Sequence, residues 1–186
     1  GSAAAVSAGL VPYAIGTETL GSIISPSTRC GVTGLRPTYS SVPTDGFMTL
    51  SWTMDKVGPI ARSPRDCAIV FNTIKETNNT NTINFNFDQK INSLKIGYLK
   101  SLFDNDTSRF YNNNIKTIAL AKDLYDLNPI ELPKNFPFSV FDIILRAEAG
   151  AFFDSFLLKG LDSSMVEQGE RSRANSLRQS KLIPAV

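Results

Sequence analysis

The segment from Gly16 to Ser22 is the part of the chain whose residue types and spacing could do chemistry. Gly16 and Gly21 enclose four residues, and Ser22 follows directly. A glycine-rich turn can direct several successive backbone N–H groups at one point, which is what a developing oxyanion requires. A serine hydroxyl beside such donors is a candidate nucleophile for acyl transfer. From composition alone, however, Ser22 is more simply interpreted as an ordinary turn serine.

The same spacing differs by one residue from that of a phosphate-binding loop. The lysine that would reach the phosphates is missing before Ser22, so we do not expect nucleotide binding here. The sequence also contains no Gly-x-Gly-x-x-Gly, Gly-x-Ser-x-Gly or Ser-x-x-Lys motif. The usual sequence signatures of dinucleotide binding and of the common serine hydrolases are therefore absent.

Histidine does not occur in the 186 residues. Its absence excludes catalytic units whose general base is histidine, and it excludes metal sites built on imidazole. The two cysteines, Cys30 and Cys67, are too few for a Cys-only zinc site, and we expect both to be buried thiols in a reducing compartment. We expect neither a metal ion nor a cofactor.

The charges of the chain nearly balance. Lys and Arg number 19 against 17 Asp and Glu, which leaves a formal charge of +2. That balance gives no electrostatic reason to expect nucleic acid or an anionic membrane as a partner. The hydrophobic share of 42% is enough for a core, and no apolar run approaches the roughly 18 residues that span a bilayer. No signal peptide is visible, and we expect a cytoplasmic protein.

The first third of the chain predicts short elements. Residues 3–6 predict a helix that stops at Gly9, and residues 10–15 predict a short buried strand that Gly16 closes. Residues 64–75 predict a helix that Ser63 caps, with Cys67 on its apolar face.

Further along the chain, the pattern predicts a strand at 94–98, a helix at 108–127 and a strand at 130–132. Strand, helix and strand in this order predict a βαβ unit and an α/β fold. Residues 138–158 predict the most apolar helix, and residues 167–181 predict a charged, solvated helix. Residues 76–93, which are rich in asparagine, predict a polar surface loop.

Four segments resemble, in order and spacing, the sequence blocks of the amidase signature family. They are GSAAAVSAG at 1–9, GTETLGSI at 16–23, CGVTGLRPT at 30–38 and MDKVGPIARS at 54–63. Four ordered blocks are far more specific than one motif. The resemblance covers residues 1–75 well and the remainder loosely, and it implies a chain truncated at both ends. It also implies part of a mixed β-sheet core covered by helices, with residues 1–75 as the signature core, 76–93 as a loop and 94–186 as a variable α/β part.

Members of this family cleave amide C–N bonds with a serine nucleophile, a second serine in a cis peptide linkage and a lysine. Carried over by position, the resemblance implies that Ser22 is the nucleophile. It implies that the oxyanion hole consists of the backbone N–H groups of Thr19, Leu20, Gly21 and Ser22. The bridging serine and the lysine would precede Gly1, so we expect the 186 residues alone to be inactive.

Substrate contacts are less defined by the resemblance. Thr17 and Glu18 are candidates, and the alternative for Glu18 is a carboxylate that accepts loop N–H bonds. Leu20 stands where the family usually has glycine, and its side chain is expected to crowd the site. The arginine that often follows the nucleophile is missing at residues 24–26, which favours a neutral or apolar substrate over one with a carboxylate.

The resemblance leaves three hypotheses open. The first is an amidase that acts on a small linear carboxylic amide. The second is the A subunit of a Glu-tRNA(Gln)/Asp-tRNA(Asn) amidotransferase, which would release ammonia from glutamine and work with a second protein subunit. The third is an inactive amidase-like domain retained for binding. No direct contact with nucleic acid or membrane is expected in the leading interpretation.

Overall fold

The computed structural model describes residues 1–75, 88 and 94–183. The chain divides into two compact units, one formed by Gly1–Phe85 and Ser139–Val186 and the other by Asn86–Phe138. The asparagine-rich loop predicted at 76–93 lies outside the described residues except for Asp88, as do residues 184–186.

The described residues form eight α-helices and five β-strands. In chain order they are α1 (Ser2–Ser7), β1 (Tyr13–Glu18), α2 (Ile24–Cys30), β2 (Thr33–Gly34), β3 (Lys56–Ala61), α3 (Pro64–Ile74), β4 (Ile96–Leu99), α4 (Lys100–Asp104), α5 (Tyr111–Leu124), β5 (Leu127–Ile130), α6 (Val140–Phe152), α7 (Asp154–Leu158) and α8 (Arg173–Ser180). A short 3₁₀ helix, Leu161–Ser164, lies between α7 and α8. The mixed α/β class predicted from the sequence is confirmed.

The first unit contains a three-stranded antiparallel sheet in the order β1-β3-β2. Strand β3 lies in the centre, and its register pairs Glu18 with Lys56 and Gly16 with Gly58. Every residue of β3 after Lys56 is buried. The register brings the end of β1 beside the start of β3, and the turn that carries Ser22 begins at that point.

The bounds predicted for β1 are wrong at both ends. Leu10, expected inside a buried strand, is 76% exposed, and β1 continues through Gly16 to Glu18. A Cβ on Gly16 would lie 3.2 Å from both Ile23 and Ile60 side-chain atoms. The glycine therefore permits close packing within the strand and does not end it. The helix before it ends as predicted, with Gly9 at φ +72°.

Helix α3 has the start and the cap expected from its sequence, and it ends one residue earlier than predicted, at Ile74. The Ser63 hydroxyl accepts the N–H of Asp66, and Pro64 occupies the first turn. Cys67 and Phe71 are buried, and Phe71 belongs to a cluster with Val42 and Val57. The prediction that Cys67 is a core residue is confirmed.

The second unit contains the predicted βαβ arrangement. Strands β4 and β5 pair in parallel, with α4 and α5 between them in sequence. Strand β5 begins three residues earlier than expected, because Asn128 and Pro129 lie inside the strand. Proline is tolerated here because, among the described residues, β5 pairs with a single strand and so has an unpaired edge.

The C-terminal part of the first unit differs most from expectation. The long helix predicted at 138–158 is divided at Phe153 into α6 and α7. The helix expected to be solvated at 167–181 is shorter, and its residues Ala174, Leu177 and Ser180 are buried. A Cβ on Gly150 would lie 2.9 Å from Ser180, so a glycine on α6 allows α8 to pack closely.

Among the described residues, no helix combines the length and the apolar character needed to cross a membrane.

Candidate active site

Ser22 lies in the turn between β1 and α2. Its side chain lines a cavity of about 440 Å³ within the first unit. Its hydroxyl makes no hydrogen bond to any part of the chain that the structure describes. The preceding residue, Gly21, has φ +116°, a conformation that residues with a Cβ rarely adopt. The turn therefore presents an accessible hydroxyl next to a backbone that requires glycine.

The backbone N–H groups divide into two sets along this turn. Those of Leu20, Gly21 and Ser22 donate to no protein acceptor within residues 1–75 and 94–183. Those of Ile23 and Ile24 donate to the Glu18 carboxylate at 2.8 and 3.0 Å. Three consecutive N–H groups up to and including Ser22 are thus available to a ligand.

Glu18 is 1% exposed and does not line the cavity. Besides the two backbone N–H groups, its carboxylate has the Arg36 guanidinium 3.6 Å away. A buried carboxylate needs such partners to offset its lost hydration. Of the two roles considered for Glu18, the structure shows the one in which it accepts loop N–H bonds.

Ile23 anchors the turn from the other side of Ser22. The Ile23 side chain is fully buried among Ala3, Val6 and Ile60. Three glycines make room for it, because a Cβ on each would lie within 3.2 Å of an Ile23 side-chain atom. They are Gly16 (3.2 Å), Gly34 (2.9 Å) and Gly58 (3.1 Å). These three glycines therefore make room for one bulky side chain beside the candidate nucleophile.

Thr19 forms hydrogen bonds with two residues that were not predicted to belong to the site, Asp55 and Lys56. Its hydroxyl donates to Asp55 Oδ1 at 2.6 Å, and its carbonyl accepts from Lys56 Nζ at 3.3 Å. The other carboxylate oxygen of Asp55 accepts the N–H groups of Leu50 and Ser51 at 2.7 and 3.0 Å. Asp55 and Lys56 both lie in the block at 54–63 that resembles the amidase signature family. The resemblance of that block did not by itself indicate a role for either residue.

Lys56 lines the cavity and also donates to the carbonyl of Met54. Burial lowers the pKa of Lys56, and the nearby Arg36 guanidinium lowers it further, while Glu18 and Asp55 act in the opposite direction. The cavity thus contains an amine that loses its proton more readily than an exposed lysine.

The cavity walls come from both chain segments of the first unit. Thr17, Thr19 and Ser22 form one side together with Asp55 and Lys56. The remaining walls are mainly apolar and include Phe47, Met48, Leu50, Trp52, Val57, Phe153, Phe156, Met165 and Leu177, with Arg173 as a further cation. An apolar cavity with a few polar groups at one side is typical of a small-molecule site.

Glu148 links the two chain segments that form the cavity walls. Its carboxylate accepts the Ser51 hydroxyl at 2.5 Å, the Thr53 hydroxyl at 2.6 Å and the Thr53 N–H at 3.1 Å. Glu148 and Ser51 are both buried. Helix α6 therefore fixes the loop that carries Leu50 and Trp52 to the cavity.

Two further expectations concern side chains near the turn. Leu20 was expected to crowd the site, but its side chain is 55% exposed and does not line the cavity. Its φ is not positive, so the turn accommodates a side chain at this position without strain. Cys30 packs against the Ile23 cluster, but it is only partly buried, so the prediction that both cysteines are buried is wrong for Cys30. No cluster of three or more potential metal ligands occurs in the described residues.

Comparison with known proteins places the chain in a family. The Amidase family model matches residues 1–180, and the chain belongs to the amidase family. The glutamyl-tRNA(Gln) amidotransferase A subunit of Roseiflexus castenholzii is 53% identical over 74 residues, which cover 40% of this chain and 15% of that protein. A protein of the same name from Campylobacter fetus subsp. fetus is 32% identical over an alignment of 189 positions. The alignment covers 96% of this chain and 40% of that protein.

Solved structures of amidases share the fold of this chain. A crystal structure of an amidase superposes with a TM-score of 0.81 at 21% identity, covering 97% of this chain and 39% of that one. The native peptide amidase of Stenotrophomonas maltophilia has a TM-score of 0.72 at 26% identity, covering 97% and 42%. The amidase signature fold predicted from the sequence is confirmed. The matched parts of this chain cover between 15% and 42% of the length of these relatives.

Proposed function

We propose that this chain carries the nucleophile of an amidase that cleaves a carboxylic amide, and that Ser22 is that nucleophile. The observation that carries the proposal is the Ser22 hydroxyl in a cavity, directly after two backbone N–H groups without a protein acceptor in the described residues. In this proposal, Ser22 Oγ attacks the amide carbon, and the N–H groups of residues 19–22 stabilise the oxyanion. Each such donor typically contributes about 2.7–4 kcal/mol to the transition state.

The reaction then follows the course of acyl transfer. The C–N bond breaks, the amine or ammonia leaves with a proton, and water hydrolyses the ester on Ser22 to release the acid. The family resemblance implies that a serine in a cis peptide linkage and a neutral lysine relay the proton from Ser22. Both positions precede Gly1 in the family pattern, and we propose that they complete the triad in the intact natural protein.

The cavity supports a substrate with an apolar group. Trp52, Phe153 and Phe156 contribute aromatic surface, which binds aliphatic and aromatic groups through area burial. Thr17 lies on the cavity side of β1 and is the candidate substrate contact that this geometry supports. Glu18, which is buried behind the turn, is proposed to support the turn and not to contact the substrate.

A direct test replaces the proposed nucleophile in the intact natural protein. Ser22→Ala is expected to abolish amide hydrolysis and labelling by a fluorophosphonate. Ser25→Ala, at an exposed serine on the adjacent helix, is the matched control and should leave both unchanged. Retained turnover in Ser22→Ala would contradict the proposal. A folded, unlabelled wild-type protein would instead favour the inactive binding domain.

The second candidate function is that of an amidotransferase A subunit. It is favoured by the relatives in Roseiflexus castenholzii and Campylobacter fetus, which carry that name. In this alternative the same Ser22 chemistry would release ammonia from glutamine, and a second protein subunit would use it. Purification from the native host distinguishes the two. Glutaminase activity together with a co-purifying second protein supports the amidotransferase, whereas hydrolysis of simple amides by the isolated protein supports the amidase.

A further inference from the structure

We propose that Lys56 and Asp55 are positioning residues that together set the orientation of the Thr19–Leu20 peptide, where the proposed oxyanion loop of residues 19–22 begins. The inference rests on the proposed function, because it concerns the N–H donors of that loop. It assigns roles to two residues of the first unit that neither attack the substrate nor supply the oxyanion donors.

The two contacts hold different parts of Thr19. Asp55 accepts the Thr19 hydroxyl at 2.6 Å and so fixes the side chain. Lys56 Nζ donates to the Thr19 carbonyl at 3.3 Å and so fixes the plane of the following peptide. In a planar trans peptide the carbonyl and the next N–H point in opposite directions. Holding the Thr19 carbonyl therefore also fixes the direction of the Leu20 N–H.

The Lys56 ammonium group also makes the Leu20 N–H a stronger hydrogen-bond donor. A hydrogen bond to a carbonyl oxygen polarises the peptide unit and strengthens the donor at its other end. A charged donor such as Lys56 does this more strongly than a neutral one. Lys56 thus both orients and polarises the Leu20 N–H.

We call Lys56 and Asp55 together the clamp. The clamp is positioned by strand β3 and by the loop that precedes this strand. Lys56 is the first residue of β3 and lies opposite Glu18 in the register. Asp55 is fixed by two backbone N–H groups, from Leu50 and Ser51. Glu18 holds the far end of the turn through the N–H of the residue after Ser22, so the 19–22 loop is fixed on both sides. A preorganised set of donors is what stabilisation of an oxyanion requires.

The first test is Lys56→Met in the intact natural protein, with Lys159→Met at an exposed lysine of the same unit as the control. In Lys56→Met, kcat is expected to fall about 10-fold, less than the roughly 10²–10³-fold that follows removal of an oxyanion donor itself. KM should change less than about twofold, because the ground-state amide gains little from the oxyanion donors. A boronic acid inhibitor that mimics the tetrahedral state should bind about 10-fold more weakly.

A second pair of variants tests the other half of the clamp even if Lys56→Met fails to fold. Thr19→Val removes the hydroxyl that Asp55 holds, while Thr19→Ser keeps it. We expect kcat to fall several-fold further in Thr19→Val than in Thr19→Ser, because only serine keeps the hydroxyl that Asp55 accepts. Equal kcat values in the two variants would overturn the role of Asp55.

The pH profile supplies a readout that a purely structural role would not change. The groups that face Lys56 are Arg36, Glu18 and Asp55. Because the clamp needs the ammonium form, kcat should decline as the pH rises through the pKa of Lys56, which burial lowers from the ordinary lysine value. In Lys56→Gln this alkaline decline should disappear. A decline that persists in Lys56→Gln would overturn the inference.

The outcomes separate the inference from the proposed function. If Ser22→Ala is inactive while Lys56→Met keeps the wild-type kcat and boronic acid affinity, the positioning role is wrong and the nucleophile stands. A rise in KM alone would likewise overturn it, because Lys56 would then bind substrate. If Ser22→Ala keeps full turnover, the proposed function fails, and the inference fails with it.

Discussion

The carboxylate of Glu18 accepts the backbone N–H of Ile23 at 2.8 Å, and neither residue is exposed to solvent by more than 1%. This contact joins the last residue of β1 to the residue after Ser22. The turn between them is therefore closed by a buried, charge-assisted hydrogen bond. The geometry of the candidate nucleophile depends on a residue that does not touch the cavity.

The first prediction concerns that contact. Glu18→Ala leaves the N–H groups of Ile23 and Ile24 without their acceptor, and a buried unsatisfied donor costs about 1–3 kcal/mol. We expect the free energy of unfolding to fall by about 3 kcal/mol, measured by urea denaturation. Glu167→Ala, at an exposed glutamate, should change it by less than about 0.5 kcal/mol. A Glu18→Ala variant as stable as the control would show that the turn does not need the carboxylate.

The second prediction compares two positions on α3. Phe71 is 6% exposed and packs with Val42 and Val57, whereas Ile69 is 55% exposed. Phe71→Ala should lower the free energy of unfolding by about 3–5 kcal/mol, because it removes buried area and leaves a cavity. Ile69→Ala should lower it by about 0.5 kcal/mol or less. Similar losses of unfolding free energy in both variants would mean that the face of α3 that carries Phe71 is not the face packed against the core.

The third prediction concerns substrate binding by α7. Phe156 lines the cavity, while Leu158 is 71% exposed and does not. For an amide with an apolar group, Phe156→Ala should lower kcat/KM about 10-fold, since loss of apolar contact in a pocket costs on the order of 1–3 kcal/mol. Leu158→Ala should leave kcat/KM unchanged. The comparison uses steady-state kinetics of the intact natural protein, and an equal effect of the two variants would place the substrate elsewhere.

The fourth prediction follows from the environment of Cys67. Burial raises the pKa of the Cys67 thiol, and the nearby Asp66 carboxylate adds to this. A raised pKa leaves less thiolate at neutral pH, and the thiolate is the reactive form. Cys67 should therefore react with iodoacetamide at least about 10-fold more slowly in the folded protein than in concentrated urea. The rate is followed by mass spectrometry of the Cys67 peptide, and rapid labelling of the folded protein would contradict the buried position.

Local signals in the sequence predicted the features that local contacts create. Ser63, Pro64 and Asp66 specify the start of α3 because a cap involves residues only three apart. The glycine at position 21 likewise indicated a turn that presents Ser22, and its φ of +116° agrees with that expectation. In both cases the backbone conformation is decided by neighbours in the chain.

The features that the sequence did not predict depend on residues far apart. Helix α8 has a polar sequence, but Ala174 and Leu177 are buried because α6 packs closely against it. Glu148 meets Ser51 across 97 positions, and Lys56 meets the Thr19 carbonyl across 37. No local pattern marks either pair, since the fold alone brings them together. The resemblance to amidases identified the turn that carries Ser22. Only the structure identified the residues that hold this turn in place.

The distribution of the cavity walls along the chain has a consequence for biosynthesis. Ser22 and Trp52 are made early, whereas Phe153 and Leu177 complete the cavity much later. At ordinary elongation rates the interval is on the order of ten seconds. During that time the apolar residues Leu50 and Val57 lack the later side chains that complete the cavity walls with them. Apolar surface exposed in this way favours aggregation, so this unit is more prone to aggregate before α8 has been made than after α8 has packed.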